Sequence, residues 1–254
     1  MIEFDHVTFS YGSGAPVFQD FSWQAERGEA WAVLGPSGCG KSTLLSLAAG
    51  LRFPTAGEVR VDGQKLLRPR PHTGLIIQDY GLLPWQTVRQ NVELGLRIRK
   101  FYGPDGTHAP RGAAPAPVQI SPWLERLGLT AVADKYPSEI SGGQRQRTAI
   151  ARTLALHPDL LLMDEPFSSL DAPTRESLQT LTLELWAEQH LTLVVVTQSI
   201  EEAAILGEKI LLMGNPPTQT PQIIENSEAR QPGFRGSDTY TLVCQMLRER
   251  LVSL

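Results

Sequence analysis

The stretch Gly35-Pro36-Ser37-Gly38-Cys39-Gly40-Lys41-Ser42-Thr43 constrains this chain more than any other segment. It fits the pattern G-x-x-x-x-G-K-[ST] and stands between two runs that suit it. Before it lies Ala30-Trp31-Ala32-Val33-Leu34, apolar and strand-like. After it come Leu44-Leu45-Ser46-Leu47-Ala48-Ala49, of high helix propensity, with Gly50 as a natural stop. Glycines let the backbone curl so that successive N–H groups point inward, and the helix start adds partial positive charge. Such a cradle fits phosphate. The spacing predicts that Lys41 reaches the β- and γ-phosphates of a nucleoside triphosphate and that the Ser42 hydroxyl ligates Mg²⁺.

The rest of the chain reads as strands alternating with helices. Near the start, Ile2, Phe4 and His6 alternate with polar positions, a turn falls at Gly12-Ser13-Gly14, and Val17-Phe18 and Phe21 to Trp23 continue a strand meander. Further strands are expected at Gly57 to Val61, at Leu75-Ile76-Ile77 ending at Gln78, at Leu160 to Met163, and at Thr192 to Thr197. Helices are expected from Thr87 to Lys100, from Trp123 to the stop at Gly128, from Gly142 or Gly143 to about Leu156, and after Pro173 through Leu178, Leu181 and Leu185. The alternation predicts a largely parallel sheet wrapped by helices. The segment from Gly103 to Pro117 holds four prolines, three glycines and no large aliphatic residue, which predicts an irregular, mobile loop. The tail at Tyr240 to Leu254 fits an amphipathic helix through Val243, Leu247 and Leu251, packed on its own domain, with a dimer or regulatory contact as the alternative.

Composition excludes some classes. With 254 residues the chain can bury a full α/β core. A net charge of −4 speaks against a nucleic-acid partner, which needs a basic face. The two cysteines, Cys39 and Cys244, form no disulfide framework and read as free thiols. Cys39 lies inside the phosphate loop, where a bulky thiol reagent is expected to block nucleotide. No apolar run approaches the length of a membrane span and the first residues lack a signal-peptide pattern, so the chain is expected to be cytosolic and to reach a membrane only through another subunit.

Two further segments carry chemistry. The strand Leu160 to Met163 delivers Asp164 and Glu165 to the sheet's C-terminal edge, where ligands of open α/β sheets bind. An Asp there can hold Mg²⁺, and the adjacent Glu can polarise an attacking water. Ser141-Gly142-Gly143-Gln144 combines a serine cap, two glycines and a helix start, a second anion-binding terminus.

Ser141 to Gln144 resembles the signature of ATP-binding-cassette (ABC) ATPases, and the other motifs of that family occur in their usual order. Tyr11 stands where the adenine-stacking aromatic is expected, Gln78 resembles the Q-loop glutamine, Leu160 to Pro166 looks like the Walker B strand with its glutamate, and Ser168-Ser169-Leu170-Asp171 looks like the D-loop. The resemblance implies a P-loop NTPase (RecA-like) core with an N-terminal antiparallel β subdomain and an α-helical signature subdomain. It assigns residues 1–215 to the ATPase domain, with the helical subdomain at about 84–157, and leaves 216–254 as a tail. It also implies two cassettes packed head to tail over two ATP molecules, so that Ser141 and Gly143 serve the partner's γ-phosphate, Asp171 communicates across the dimer, and Gln78 senses Mg²⁺ and the membrane subunit.

One position departs from the family. Thr-His-Asp is usual in the family after the strand that here spans Leu193 to Val196, but the chain reads Thr197-Gln198-Ser199, and none of its five histidines follows a strand at this point. Gln198 replaces the switch histidine. An amide donates to phosphate but carries no positive charge; losing one preorganised donor altogether costs about a hundred- to a thousandfold in rate, and the amide should lose less.

A single cassette without membrane spans resembles importer subunits rather than fused exporters. Tyr80-Gly81-Leu82-Leu83-Pro84-Trp85-Gln86-Thr87-Val88, followed by Asn91-Val92, resembles the importer group for nitrate, sulfonates, taurine and thiamine-precursor pyrimidines. The expected function is an ATP-hydrolysing importer subunit with a second cassette (the same chain or a different one), membrane permease subunits and a solute-binding protein as partners, peripheral on the inner face of the cell membrane. The alternative is a regulatory module that closes on ATP and hydrolyses it weakly because of Gln198.

Overall fold

Alternating burial makes the first residues a strand, β1 (Ile2–Ser10), which pairs antiparallel with β2 (Pro16–Ala25). The computed structural model describes residues 1–102, 119–231 and 233–252. The alternation of β1 does not run through. Ile2 and Phe4 are buried, but then Val7 and Phe9 take over the inward face, and the His6 side chain is 72% exposed. The register with β2 slips between Phe4 and Val7, and His6 sits there at φ 50°. A residue in the left-handed region at a bulge inverts the strand's phase. The inward His6 expected from the sequence is thereby corrected: its Nδ1 lies 2.7 Å from Asp20 Oδ1.

β3 (Ala30–Leu34) leads through the glycine-rich loop into α1 (Lys41–Ala48). β4 (Ala56–Val61) returns to β1, and the short β5 (Gln64–Lys65) completes an antiparallel sheet of order β2-β1-β4-β5. β6 (Thr73–Ile76) starts two residues before the expected Leu75, and Ile77 falls outside it, 42% exposed. Three helices follow, α2 (Val88–Tyr102), α3 (Ser121–Arg126) and α4 (Gly142–Leu154). The proline- and glycine-rich stretch at 103–117 lies outside the described residues. The chain then alternates through β7 (Leu160–Asp164), α5 (Ala172–Gln189), β8 (Thr192–Thr197), α6 (Ile200–Leu206), β9 (Lys209–Leu212), β10 (Gln222–Glu225) and α7 (Asp238–Val252).

The second sheet has the order β10-β9-β3-β8-β7-β6. Its pairings are parallel except for β10, which runs against β9. Both faces of the parallel strands are covered, which is why they read as unbroken apolar runs. Leu161, Met163, Leu193 and Val195 pack under α4 and α5, while Leu160, Leu162, Val194 and Val196 pack with α1 and the antiparallel sheet. A third cluster joins Ala32, Leu34, Ile210 and Leu212 to Ala203 and Ala204 of α6 and to Cys244 and Leu247 of α7. The tail helix thus covers α6. Its expected last two residues lie outside the described ones. Both cysteines are free and buried.

Candidate active site

Four parallel strands deliver polar residues to one edge of the sheet. β3 ends at Leu34 before the glycine-rich loop, β7 at Asp164 before Glu165, β8 at Thr197 before Gln198, and β6 at Ile76 just before Gln78. That edge is where ligands of open α/β sheets bind.

The loop Gly35–Thr43 is fixed by what backs it. A Cβ on Gly35 would stand 2.4 Å from the Met213 carbonyl oxygen, and one on Gly40, at φ 107°, would stand 2.5 Å from Val17 Cγ1. Only glycine fits either place. Lys41 is buried, and its Nζ donates to the carbonyls of Gly35 at 2.8 Å and Pro36 at 2.9 Å. Phosphate oxygens are the natural replacements for those acceptors. Pro36, Ser37, Gly38 and Ser42 are exposed around it.

Cys39 is 1% exposed and belongs to the cluster beneath the loop; burial pushes its thiol up from the ordinary range. Only its backbone is available to a ligand at the loop, and the thiol is not the open target expected from the sequence, because desolvation both hides it and disfavours the thiolate. The Tyr11 hydroxyl lies 2.9 Å from Thr43 Oγ1, and the Arg52 guanidinium sits 4.7 Å from the ring centre. The ring is 47% exposed beside the loop.

The acids stand at the end of β7. Burial pushes the Asp164 carboxyl up, while the Ser42 hydroxyl and Lys41 draw it back. Glu165 takes φ 42°, a left-handed turn held by its N–H on the Val196 carbonyl at 2.9 Å. Its carboxylate accepts from Gln198 Nε2 at 2.5 Å. Gln78 is exposed in the turn after β6, and that turn is gripped from behind. Arg152 donates to the carbonyls of Tyr80 at 2.7 Å and Gly81 at 2.5 Å, and the Tyr80 hydroxyl lies 2.7 Å from Ser169 Oγ.

The second cradle has its own setting. Ser141 Oγ accepts from Gln144 N at 3.2 Å, and Gln144 Oε1 accepts from Ser141 N at 3.0 Å, a reciprocal capping box at the start of α4. A Cβ on Gly143 would stand 2.6 Å from Thr174 Cγ2, and one on Gly142 would stand 3.2 Å from Leu170 Cδ2. This terminus therefore packs on Leu170 and the first turn of α5. Asp171 caps α5, accepting from Thr174 N at 3.1 Å, and that bond holds its carboxyl below the ordinary range. Among the described residues no hydrogen bond or ion pair links Ser141–Gln144 to the loop at Gly35–Thr43.

So the chain gathers Tyr11, the loop, Asp164, Glu165 and Gln198 into one group, and Ser141, Gly142, Gly143, Gln144 and Asp171 into another. Two features escaped the sequence reading. Asn91, fully buried, accepts from Leu83 N at 2.8 Å and donates to the carbonyls of Leu83, Gln86 and Thr87, which locks the turn carrying Trp85. Glu202 is 3% exposed although Ser199-Ile200-Glu201-Glu202 has the form of an ordinary solvent-facing helix cap. The only signal was an acid placed directly before Ala203 and Ala204 in a short helix.

Comparisons with known proteins supply a family and several relatives. The family described as ABC transporter matches residues 18–168. A taurine import ATP-binding protein, TauB of Pseudomonas aeruginosa (strain UCBPP-PA14), is 42% identical over 208 residues, covering 82% of this chain and 75% of the relative. An aliphatic sulfonates import ATP-binding protein, SsuB of Bacillus thuringiensis subsp. konkukian, is 39% identical over 211 residues, covering 83% and 79%. Among solved structures, the dimeric post-hydrolysis state of the ATP-binding cassette MJ0796 bound to ADP and Pi superposes with a TM-score of 0.73 at 31% identity, covering 89% of this chain and 99% of that one.

Proposed function

The chain belongs to the ABC transporter family, and from that premise we propose that it is the ATP-binding and ATP-hydrolysing subunit of an importer that works with a separate membrane permease. Among the described residues no helix is long and apolar enough to cross a membrane. The cassette docks peripherally on the inner face of the membrane through that permease, and a solute-binding protein delivers the solute. Residues 1–215 form the ATPase domain, with the helical subdomain at about 84–157, and 216–254 form the tail.

In this reading the phosphate loop holds the β- and γ-phosphates on its backbone N–H groups, with Lys41 exchanging its carbonyl partners for phosphate oxygens. Tyr11 stacks on the base. Ser42, Asp164 and Gln78 would hold Mg²⁺: a hydroxyl, a carboxylate and an amide carbonyl are hard oxygen donors, and burial of Asp164 penalises a bare charge that a cation relieves. The ion, when bound, supplies neutralisation of the charge on the phosphate oxygens. Glu165 orients and polarises the attacking water, and Gln198 fixes that carboxylate while offering its remaining amide proton to phosphate. The Ser141–Gln144 terminus of a second cassette, the same chain or a homologue, finishes the γ-phosphate, with Asp171 beside it. The dimeric cassette with ADP and Pi among the structural relatives supports that pairing.

Trp85, 70% exposed on a turn locked by Asn91, is the docking knob for the permease. The observation that carries the proposal is the Glu165–Gln198 bond at the edge of the sheet to which the phosphate loop also belongs. Steady-state ATPase rates of wild type, Glu165→Gln and Gln198→His in the assembled complex test it. A wild-type rate in Glu165→Gln would remove Glu165 from the reaction.

A further inference from the structure

The turn that carries Gln198 is held from a distance. Gln198 itself is exposed, so its placement depends on its two neighbours. Thr197 Oγ1 accepts from Ser199 N at 3.0 Å, which closes the turn around Gln198. The same hydroxyl donates to Glu202 Oε2 at 2.5 Å. Ser199 Oγ accepts from Glu202 N at 3.1 Å, so Glu202 anchors both sides of the switch.

Glu202 does not end the chain of bonds. Its Oε1 accepts from Gln179 Nε2 at 3.4 Å, and Gln179 Oε1 accepts from Arg235 Nη2 at 2.6 Å. Thr197, Gln179 and Glu202 are each 3% exposed, so these groups have few alternatives. A buried carboxylate without filled acceptor sites is costly, and a buried amide is oriented by its partners. Burial pushes the Glu202 carboxyl up, with the Glu165 charge adding to that push, while the Thr197 hydroxyl, the Arg175 charge and the Gln179 amide draw it back. Arg235, which also meets Glu176 at 3.4 Å, orients Gln179 so that its amide N–H faces Glu202. Arg235 lies between β10 and α7, in the tail, well beyond the residues matched by the family.

We propose that Arg235 and Gln179 are positioning residues for hydrolysis, fixing through Glu202 and Thr197 the turn that holds Gln198 against Glu165. The tail is then part of the switch and not merely a cover for α6. This rests on the reading of the chain as an ATPase. A second tie runs the same way: Arg248 of α7 reaches Glu201 at 3.6 Å.

The test uses the full chain with its permease and compares wild type, Arg235→Ala and Arg235→Lys, each also in a Gln198→Ala background. Three readouts are needed: kcat and KM for ATP, the thermal midpoint, and the Gln198 side-chain amide resonances of the isolated full chain, identified by their loss in Gln198→Ala. Arg235→Ala should lower kcat by about two- to thirtyfold, the range seen for couplings of this kind, with KM unchanged. It should also shift the Gln198 amide resonances, and Arg235→Lys should recover most of both. In the Gln198→Ala background the loss should vanish, because non-additivity marks residues that act through one another. An unmoved amide resonance, or an equal loss in the Gln198→Ala background, overturns the proposal. Should Arg235→Ala fail to fold, Arg235→Lys carries the same comparison with a smaller expected loss. If the wild-type complex binds ATP without turnover, the ATPase reading fails, and the amide resonances alone decide whether Arg235 positions Gln198.

Discussion

Gln198 Nε2 donates to Glu165 Oε1 across 2.5 Å, joining the turns that follow two neighbouring parallel strands. The family resemblance leads one to expect an imidazole at this position, yet the amide makes the link to the carboxylate and keeps a second N–H to donate. What it lacks is charge.

That difference sets the first prediction. Glu165→Gln should retain ATP binding and lose about 10²- to 10⁴-fold in turnover, the usual worth of a positioned general base. Gln198→Ala should lose less, and Gln198→His should exceed the wild-type rate because an imidazolium can meet developing charge. Steady-state ATPase assays on the assembled complex check all three; a slower histidine variant would show that the amide is the better partner in this chain.

Lys41→Ala removes the cation held by the Gly35 and Pro36 carbonyls. Charge-assisted hydrogen bonds contribute about 1.5–3 kcal/mol each, so ATP affinity should fall by at least about tenfold. Calorimetric titration of the isolated chain measures this directly. Unchanged affinity would mean that Lys41 stays on its own loop when nucleotide binds.

Trp85 and Asn91 should separate docking from folding. Trp85→Ala, at a 70% exposed site, should shift stability by no more than about 0.5 kcal/mol while abolishing co-purification with the permease. Asn91→Ala strips the partner from Leu83 N and from three carbonyls, and should cost about 1–3 kcal/mol or more in chemical denaturation. Retained co-purification of Trp85→Ala would move the docking knob elsewhere.

Ser141→Ala should cost α4 about 1 kcal/mol through the lost cap and leave ATP affinity of the isolated chain unchanged. ATP-driven dimerisation, followed by light scattering in a Glu165→Gln background, should weaken. Normal dimerisation would take the second cradle out of the partner's site.

Glu202 gives a pH dependence. Burial raises its carboxyl above the ordinary carboxylate range in the folded chain. A carboxyl that holds its proton more tightly when folded contributes its stability below the unfolded value and loses it as pH rises through the folded one. Glu202→Gln escapes that loss, so its thermal midpoint should gain on the wild type as pH rises from the ordinary carboxylate range through the higher range in which the folded carboxyl ionises. A constant gap across that window would mean that Glu202 ionises in the fold as readily as in water.

The parallel sheet was legible because strands buried on both faces show as unbroken apolar runs, and β8 falls at the expected Thr192 to Thr197. Spacing alone puts Lys41 at the start of α1 and Asp164 at the end of β7, because a glycine-rich turn and a strand end dictate where the next side chain goes. His6 was misread because a bulge inverts the strand phase and leaves no trace in composition. The Cys39 thiol was misjudged because position within a loop does not say which way a small side chain turns. Asn91 and Glu202 were out of reach for a different reason: their roles depend on partners brought close by the fold, from Leu83 to Thr87 in one case and from Gln179 and Arg235 in the other.

The wedging of Gly35 under Met213 and of Gly40 against Val17 has a thermodynamic consequence. The loop's backbone is already fixed by strands on either side, so nucleotide arrives at a receptor whose ordering entropy was lost when the chain folded. Discrimination between ATP and ADP then falls on electrostatics at a rigid rim. Affinity should follow the number of phosphate charges more than any rearrangement of the loop, and exchange of one nucleotide for the other becomes a replacement of ligands on an unchanged frame.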